Sequence, residues 1–211
     1  MGFKSIALVA TTMVLSTSVN AAIVNADWQT DSDNLITRVT GTGPGGGLEW
    51  LDLTATTSRS YADISSKFGT GQEFEGWRYA TTAEISDFFD AFGGDSNYYN
   101  AGWSTQNSGL FDSIAPYWGD TSGDGYSYFI TADQTTLGMH KFGYIYDSNT
   151  HSRSLDEDYL RINDDEISDT NYLFDTGSAL VRLTVVPIPA AIWLFGSGLI
   201  GLIGIARRKK S

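Results

Sequence analysis

The feature that most constrains this chain is an uncharged run of 19 residues near its C-terminal end, from Ile188 to Ala206. As a helix this run would extend about 28 Å, close to the roughly 30 Å hydrocarbon core of a bilayer. Four cations follow it directly, and such clusters stay on the cytoplasmic side of a membrane; they are Arg207, Arg208, Lys209 and Lys210. The pattern predicts a transmembrane helix over 188–206, with the preceding domain outside the cytoplasm.

A buried core helix is the alternative for this run, and the glycine content argues against it. In the interior of a water-soluble helix each glycine costs roughly 1 kcal/mol relative to alanine. Membrane helices contain glycine more often than soluble ones. The run contains Gly196, Gly198, Gly201 and Gly204.

The N-terminal end has the composition of a secretory signal peptide. Lys4 precedes an apolar stretch that begins at Ile6 and continues to Leu15. Serine and threonine follow, and small residues stand before Ala21 at the positions that a signal peptidase reads. We therefore predict a signal peptide over 1–21 with cleavage after Ala21, which leaves an extracytoplasmic domain over 22–185.

A short proline motif joins this domain to the uncharged run. It consists of Val186, Pro187, Ile188, Pro189 and Ala190. Together with the apolar run and the basic end, the tail over 186–211 resembles the PEP-CTERM sorting signals, in the Val-Pro-x-Pro-Ala variant, because Ile188 stands where the name-giving motif has Glu. The resemblance implies that an exosortase-type enzyme processes the tail at the inner membrane. The processed domain would then reach the cell surface or the extracellular matrix of a biofilm.

The domain between the two ends is strongly acidic. Of the 13 Lys and Arg residues in the sequence, five lie in the two ends, whereas all 25 Asp and Glu residues lie between Asp27 and Asp175. Eight cations against 25 carboxylates give the domain a charge of −17. Because phosphate binding needs clustered Lys and Arg, this charge argues against nucleic acid or an anionic lipid surface as a partner. It is compatible with cation binding or with a neutral polymer.

Composition also limits the fold of the domain. The sequence has no cysteine, so disulfides, thiol nucleophiles and cysteine metal sites play no part. Its 23 glycines favour short strands with many turns over a helical bundle. We predict a single loop-rich α+β domain with two early helices and an antiparallel sheet, followed by the transmembrane helix.

Two helices are predicted in the first half of the domain. Ser60 begins the first helix, and Gly69 ends it. Thr81 and Glu84 form a capping box that begins the second helix, which carries an apolar stripe. After Asp95 the helical period disappears. The strands predicted from alternation and turn signals are 23–28, 35–40, 48–53, 101–104, 126–131, 141–147, 159–162 and 180–185.

Several blocks of the domain are recognisable when taken together. They are Glu49-Trp50-Leu51-Asp52-Leu53-Thr54, Ser60-Tyr61, Gly76-Trp77-Arg78-Tyr79-Ala80-Thr81-Thr82-Ala83-Glu84-Ile85 and Ala179-Leu180-Val181-Arg182. In this order they resemble the C-terminal domain of collagen-like bacterial adhesins, with Tyr79-Ala80 in place of Leu-Pro. The resemblance implies the fold and a surface role. A sulfated glycan ligand is not expected, because it would need a basic face.

The Gly-Trp-Arg block also has a structural explanation that needs no ligand. Gly76 permits a turn, and Trp77 packs against the core. Arg78 is predicted to pair with a nearby carboxylate, such as that of Asp52 or Glu49.

No catalytic residue is assigned. The histidines are His140 and His151, and the domain has no Gly-x-Ser-x-Gly elbow. Acidic runs at 156–158 and 163–166, with Asp169, leave a glycan hydrolase open, since two separated carboxylates can cleave glycosidic bonds. A solvated acidic loop is the alternative.

One acidic turn resembles the beginning of a calcium loop. Asp120, Ser122 and Asp124 place oxygen atoms at the first, third and fifth positions, and Gly125 is sixth. Thr131 stands at the twelfth position, where an EF-hand has a bidentate Glu. Either a simple calcium turn or a plain Asp/Gly turn is therefore predicted, with calcium as the sole candidate cofactor.

Aromatic residues near polar loops are candidates for sugar contacts, because an exposed ring can stack on a neutral sugar. The candidates are Trp103, Tyr117 and Trp118, in a stretch that also contains Tyr98, Tyr99, Tyr126 and Tyr128. Several of these rings must instead belong to the core of a chain without disulfides.

Three functions remain open from the sequence. The tail and the adhesin-like blocks favour a non-enzymatic surface or matrix protein that adheres or associates with a neutral extracellular polysaccharide. A secreted, carboxylate-dependent glycan hydrolase is the rival. A structural matrix component without a discrete ligand is the third.

Overall fold

The computed structural model describes residues 22–147, 149 and 157–184. Its strands are β1 (Ala22–Ala26), β2 (Ile36–Thr40), β3 (Leu48–Leu51), β4 (Arg78–Tyr79), β5 (Gly102–Ser104), β6 (Tyr126–Thr136), β7 (Met139–Tyr146), β8 (Asp158–Ser168), β9 (Thr176–Ser178) and β10 (Leu180–Leu183). Its helices are α1 (Tyr61–Ser65), α2 (Thr82–Ala91) and α3 (Leu110–Trp118). The predicted signal peptide and the predicted tail lie outside the described residues. Within the described ranges no helix has the length and apolar composition to cross a membrane.

The strands form two five-stranded sheets. The first has the order β1-β2-β3-β10-β4, and its neighbouring strands are antiparallel. The second has the order β5-β8-β7-β6-β9, and β9 runs parallel to β6. The α+β class is confirmed, but the prediction of one antiparallel sheet is wrong in two respects. The described strands divide between two sheets, and β9 adds a parallel pair at the edge of the second.

The predicted loss of helical structure after Asp95 is also wrong, because α3 lies there. Its buried residues Leu110, Phe111, Ile114 and Trp118 form one face of the helix. Its N-terminus has no side-chain cap, since Gly109 stands at that position with φ 69°. Pro116 lies inside the last turn. A helix without a capping side chain and with an internal proline lacks the usual sequence signals.

The two early helices agree with the sequence to different degrees. The capping box of α2 is confirmed, with Thr81 accepting from the Glu84 backbone and Glu84 accepting from the Thr81 backbone. Ser60 caps α1 as predicted, but α1 ends at Ser65, before the predicted end at Gly69. The glycine nine positions after the cap residue therefore did not mark the end of so short a helix.

The core between the sheets is built around tryptophan and phenylalanine. Trp50 of β3 and Trp118 of α3 are both fully buried, with ring centroids 6.0 Å apart in a T-shaped pair. Phe88 of α2 contacts both rings, at 4.4 Å and 5.2 Å. Phe129 brings the second sheet into the same cluster, 5.1 Å from Trp118. Burying such large side chains supplies stability that disulfides would otherwise provide.

The chain passes from the second sheet to the first within one residue, Ala179. The Ala179 N–H donates to the Ile130 carbonyl of β6, and the Ala179 carbonyl accepts from Ala80 beside β4. Gly177 approaches the chain closely there, because a Cβ on it would stand 2.4 Å from the Leu53 carbonyl oxygen. Glycine is therefore required at 177 by close backbone approach.

A buried carboxylate connects the central strands of the first sheet. Glu49 of β3 is 3% exposed and accepts from Arg38 of β2 at 2.6 Å and from Arg182 of β10 at 2.7 Å. The predicted pairing of Arg78 with a nearby carboxylate is confirmed, but the suggested partners Asp52 and Glu49 are wrong. Arg78 pairs with Glu84 at 2.5 and 2.9 Å, because the other two arginines already occupy both Glu49 oxygens.

Replacing Glu49 by glutamine is expected to destabilise the fold in a pH-dependent way. Burial raises the pKa of Glu49, but the hydrogen bonds and charges of Arg38 and Arg182 outweigh it and hold the pKa below its usual value of 4.5. The stabilisation is therefore fully present above pH 4.5 and is lost as the pH falls through the lower, folded-state pKa. We expect Glu49→Gln to lower the free energy of unfolding by about 2–3 kcal/mol at neutral pH.

Urea unfolding followed by tryptophan fluorescence, at pH about 7 and about 3, measures this difference. The gap between wild type and Glu49→Gln should narrow at the lower pH. Asp63→Asn is the control, since Asp63 pairs with Arg59 at a more exposed position and should change the stability by less than about 1 kcal/mol. An equal gap at both pH values would contradict the role assigned to the Glu49 carboxylate.

Candidate functional site

Seven aromatic side chains share the outer face of the second sheet, which is here called the aromatic face. Because side chains alternate along a strand, the residues between them point into the core. Phe129, Ile145 and Leu160 are buried on that inner side. The members of the aromatic face are Trp103, Tyr126, Tyr128, Phe142, Tyr144, Tyr146 and Tyr159.

Strand register brings these rings together. Tyr128 is opposite Tyr144, and Tyr146 is opposite both Tyr126 and Tyr159 on its two neighbouring strands. Trp103 of the edge strand is opposite Tyr159. Side chains at directly opposite positions have their Cβ atoms about 5 Å apart, so the rings form continuous rows across four strands.

The rings are packed against one another in offset and edge-on pairs. Tyr144 and Tyr159 stack with centroids 5.8 Å apart and planes 5° apart, and Tyr128 stacks on Phe142 at 5.6 Å and 11°. Trp103 meets Tyr159 edge-on at 5.2 Å. Except for buried Phe142, the seven rings are half-buried. The face therefore presents a row of preorganised ring edges and faces to solvent.

The phenol groups of Tyr144 and Tyr146 stay protonated at physiological pH. Burial, with the neighbouring Tyr159, raises the pKa of Tyr144 to about 12. Burial and the hydrogen bond to the Tyr128 hydroxyl also raise the pKa of Tyr146, and the two hydroxyl oxygens are 3.0 Å apart. The aromatic face thus offers neutral hydroxyl donors and acceptors beside apolar rings.

A groove of about 370 Å³ runs along part of the aromatic face, a volume typical of small-ligand sites. Tyr128, Phe142, Tyr144 and Tyr146 line one side of the groove. The loop before β9 lines the other side with Leu173 and Phe174, which are 50% and 80% exposed. Two carboxylates, Asp165 and Asp175, complete the lining.

The three residues predicted to stack on sugars have different surroundings. Trp103 belongs to the aromatic face. Tyr117 is half-buried against Phe92 at 5.3 Å, on a different part of the molecule. Trp118 is fully buried between the sheets, so its ring has no face for a ligand and its predicted role is wrong. The reason is that α3 turns Tyr117 outward and Trp118 inward.

Tyr126 and Tyr128 lie in the stretch predicted to contact sugars. Four of the other members of the face were not predicted. Phe142, Tyr144 and Tyr146 occupy alternate positions in a predicted strand, which is a signal that they share one face. Tyr159 carries no such local signal, because its position depends on pairing with a distant strand.

The acidic turn at Asp120 is closed by hydrogen bonds. Its carboxylate accepts from the backbone N–H groups of Ser122, Gly123, Gly125 and Tyr126, at 2.8 to 3.3 Å. The Ser122 hydroxyl donates to the same carboxylate at 3.2 Å, and Asp124 donates its N–H to that hydroxyl at 3.1 Å. These hydrogen bonds are those of an Asp/Gly turn, and the calcium alternative stays a prediction. Among the described residues, no group of three or more histidine and carboxylate side chains could hold a metal.

Removing the Asp120 carboxylate is expected to destabilise the domain without any dependence on calcium. Asp120→Ala leaves four backbone donors without their acceptor and should lower the free energy of unfolding by about 1–3 kcal/mol. Asp120→Asn, which keeps one oxygen acceptor, should cost less. Thermal unfolding of both variants and of wild type, with millimolar calcium and with chelator, measures these effects. A midpoint that calcium raises in wild type and not in Asp124→Asn would instead support the calcium turn.

His140 has a structural environment, and His151 lies outside the described residues. His140 is 5% exposed, its Nδ1 is 2.6 Å from Asp169 Oδ1, and its ring stacks on Tyr61 with centroids 3.5 Å apart. These contacts join β7 to α1 and to the loop after β8. They give the histidine a packing role within the fold.

Two carboxyl groups with raised pKa values lie outside the groove lining. Burial raises the pKa of Asp52, whose carboxylate caps the turn at Thr54. Burial, followed by the charges of Asp90 and Glu84, raises the pKa of Asp87 on α2. Both sites have structural explanations, and neither places a proton donor against the aromatic face.

The comparisons with known proteins give no match: the chain matches no family model, no curated protein and no solved structure. The geometry of the site alone therefore defines its class, which is an aromatic groove on the outer face of a β-sheet.

Proposed function

We propose that this protein is a non-enzymatic, exported surface or extracellular-matrix protein that associates with a polysaccharide through the aromatic face. The single observation that carries the proposal is the continuous row of half-buried rings across β5, β8, β7 and β6. Extended polymers need extended contact surfaces, and this row runs perpendicular to the strands across four strands, over three strand spacings of nearly 5 Å each.

The chemistry of the face suits a sugar. A pyranose ring has an apolar face of C–H groups and a polar rim, so it can stack on a tyrosine ring while its hydroxyls bond to the phenol groups. The rings are fixed by their neighbours, so little side-chain entropy is lost on binding. With a domain charge of −17 the expected polymer carries no sulfate or other anionic groups.

Two alternatives have less support. A carboxylate-dependent glycan hydrolase would need an acid and a base on the two sides of the scissile bond. Asp165 and Asp175 line the groove, but most of the remaining lining is aromatic or aliphatic and favours stacking. A structural matrix component without a ligand would not need a preformed groove beside exposed rings. We therefore place polysaccharide association first.

Truncating the centre of the aromatic face is expected to weaken polysaccharide binding. Tyr144 contacts the rings of Tyr128, Tyr146 and Tyr159, so Tyr144→Ala should weaken binding at least about tenfold, as loss of a stacked ring costs over 1 kcal/mol. A glycan array and titration calorimetry with neutral oligosaccharides provide the measurement. Tyr98→Ala is the matched control, since Tyr98 is 38% exposed and lies outside the face.

Polysaccharide cleavage by the wild-type protein would support the hydrolase instead. Absence of both binding and cleavage would favour the purely structural component. Equal loss in Tyr144→Ala and Tyr98→Ala would argue against the aromatic face as the binding surface.

The proposed route to the surface uses the two ends of the chain. The signal peptide would direct export, and the motif at 186–190 would direct an exosortase-type enzyme to the tail at the inner membrane. The basic end would keep the tail oriented with the domain outside the cytoplasm.

Changing the proline motif is expected to hold the protein in the membrane. In cells that produce wild type, the domain should appear in the surface or matrix fraction at a lower mass than the uncleaved chain. With Pro187→Ala and Pro189→Ala together, the unprocessed chain should accumulate in the inner-membrane fraction. A Pro44→Ala variant, altered in a loop of the domain, is the control. Equal processing of all three proteins would contradict the proposed role of the motif.

A further inference from the structure

We infer that the groove on the aromatic face binds the ammonium group of an amino sugar, so that the preferred polymer carries free amines. This inference rests on the proposed function. It narrows the ligand from polysaccharides without anionic groups to those that carry free amines. It depends on the aromatic rings and the two carboxylates that line the groove, and on an arginine that lies outside it.

Aromatic rings line one side of the groove and favour a cation. Tyr128, Tyr144 and Tyr146 are mutual neighbours, with centroids 5.0 to 5.9 Å apart, and Tyr128 also stacks on Phe142. An ammonium group over a ring within about 6 Å of its centroid is attracted by the negative ring face. Because these rings lie so close together, one bound ammonium group can contact more than one of them.

Two carboxylates line the same groove without a cationic partner among the described residues. Asp165 of β8 and Asp175 before β9 both contribute to its lining. Among the described residues, neither side-chain carboxylate accepts a hydrogen bond or pairs with a cation. The acidic groups elsewhere in the domain are often paired, as Glu49, Asp63 and Glu84 are. A ligand ammonium group is the partner that these two carboxylates lack.

Arg161 of β8 lies on another part of the aromatic face and does not line the groove. Arg161 lies opposite Tyr144 in the strand register, but its guanidinium stands over the ring of Tyr159, 5.7 Å from the centroid. Tyr159 and Arg161 are absent from the lining of the groove. The position of this arginine shows that the face accommodates a cation on its rings. The same contact leaves the groove beside Asp165 and Asp175 open.

The rings and the two carboxylates of the groove together distinguish an amino sugar from neutral sugars. Stacking alone would bind glucose, N-acetylglucosamine and glucosamine polymers comparably, since all three have the same ring. The carboxylates add attraction to the free amine alone, because acetylation removes its charge. The domain charge of −17 adds long-range attraction for the same polymer.

The test compares three β-1,4-linked hexasaccharides by titration calorimetry with the full chain in detergent micelles. They consist of glucose, N-acetylglucosamine and glucosamine, and the pH is about 5.5, where the amines of the glucosamine hexamer are protonated. We expect the glucosamine hexamer to bind at least about fivefold tighter than the other two. The preference should shrink as salt is added.

Two variants with the same charge change locate the effect. Asp165→Asn combined with Asp175→Asn should remove the preference, so that the three hexamers bind with affinities within about twofold of one another. Asp112→Asn combined with Asp124→Asn, at exposed positions outside this groove, should retain it. Both variants are checked for folding by thermal unfolding.

Each outcome has a distinct meaning. Equal affinity for the three hexamers in wild type would overturn the amine preference and leave the proposed polysaccharide association standing. A preference that survives loss of Asp165 and Asp175, or that the control variant loses equally, would overturn the groove as its source. Absence of binding to any hexamer would overturn both this inference and the proposed function.

Discussion

The whole structure depends on the passage of one short segment between two sheets. Residues 176–178 pair with β6 in the second sheet, and residues 180–183 pair with β3 and β4 in the first. Ala179, fully buried between them, bonds through its N–H to one sheet and through its carbonyl to the residue that leads into α2. β10 lies between β3 and β4 in the first sheet. The first sheet is therefore incomplete until this segment is in place. The two sheets are thereby fixed relative to each other.

This constraint also determines which face of the second sheet is exposed. Phe129 lies on the inner side of β6 and packs on Trp118 and Phe89 in the core. Strand periodicity then forces Tyr126 and Tyr128 to the outer side. The exposed rings are half-buried by one another, which reduces the apolar area that each presents to water. A face of this kind can be stable without a ligand and still retain ring surface for one.

The sequence predicted those elements whose signals are local. The α2 capping box and the strands around Leu48, Tyr126 and Leu180 could be read because caps and alternation involve neighbouring residues. The three-residue β9 is too short for periodicity, and its parallel pairing to β6 arises from long-range contacts. The candidate site was predictable in part for the same reason. Trp103 and Trp118 are equivalent as residue types, and the packing of α3 alone decides that the second is buried.

The proposed tail has a physical consequence for when the domain can leave the membrane. β10 ends at Leu183, and the Thr184 N–H still donates to the Gly47 carbonyl, so the folded part reaches to within two residues of Val186. Two residues span at most about 7 Å, which is less than the Debye length of about 8 Å at physiological ionic strength. If the tail anchors the chain, a domain of charge −17 is held where it is repelled by an anionic bilayer surface. Removal of the tail would relieve that repulsion, so the acidity of the domain favours release once the anchor is cut.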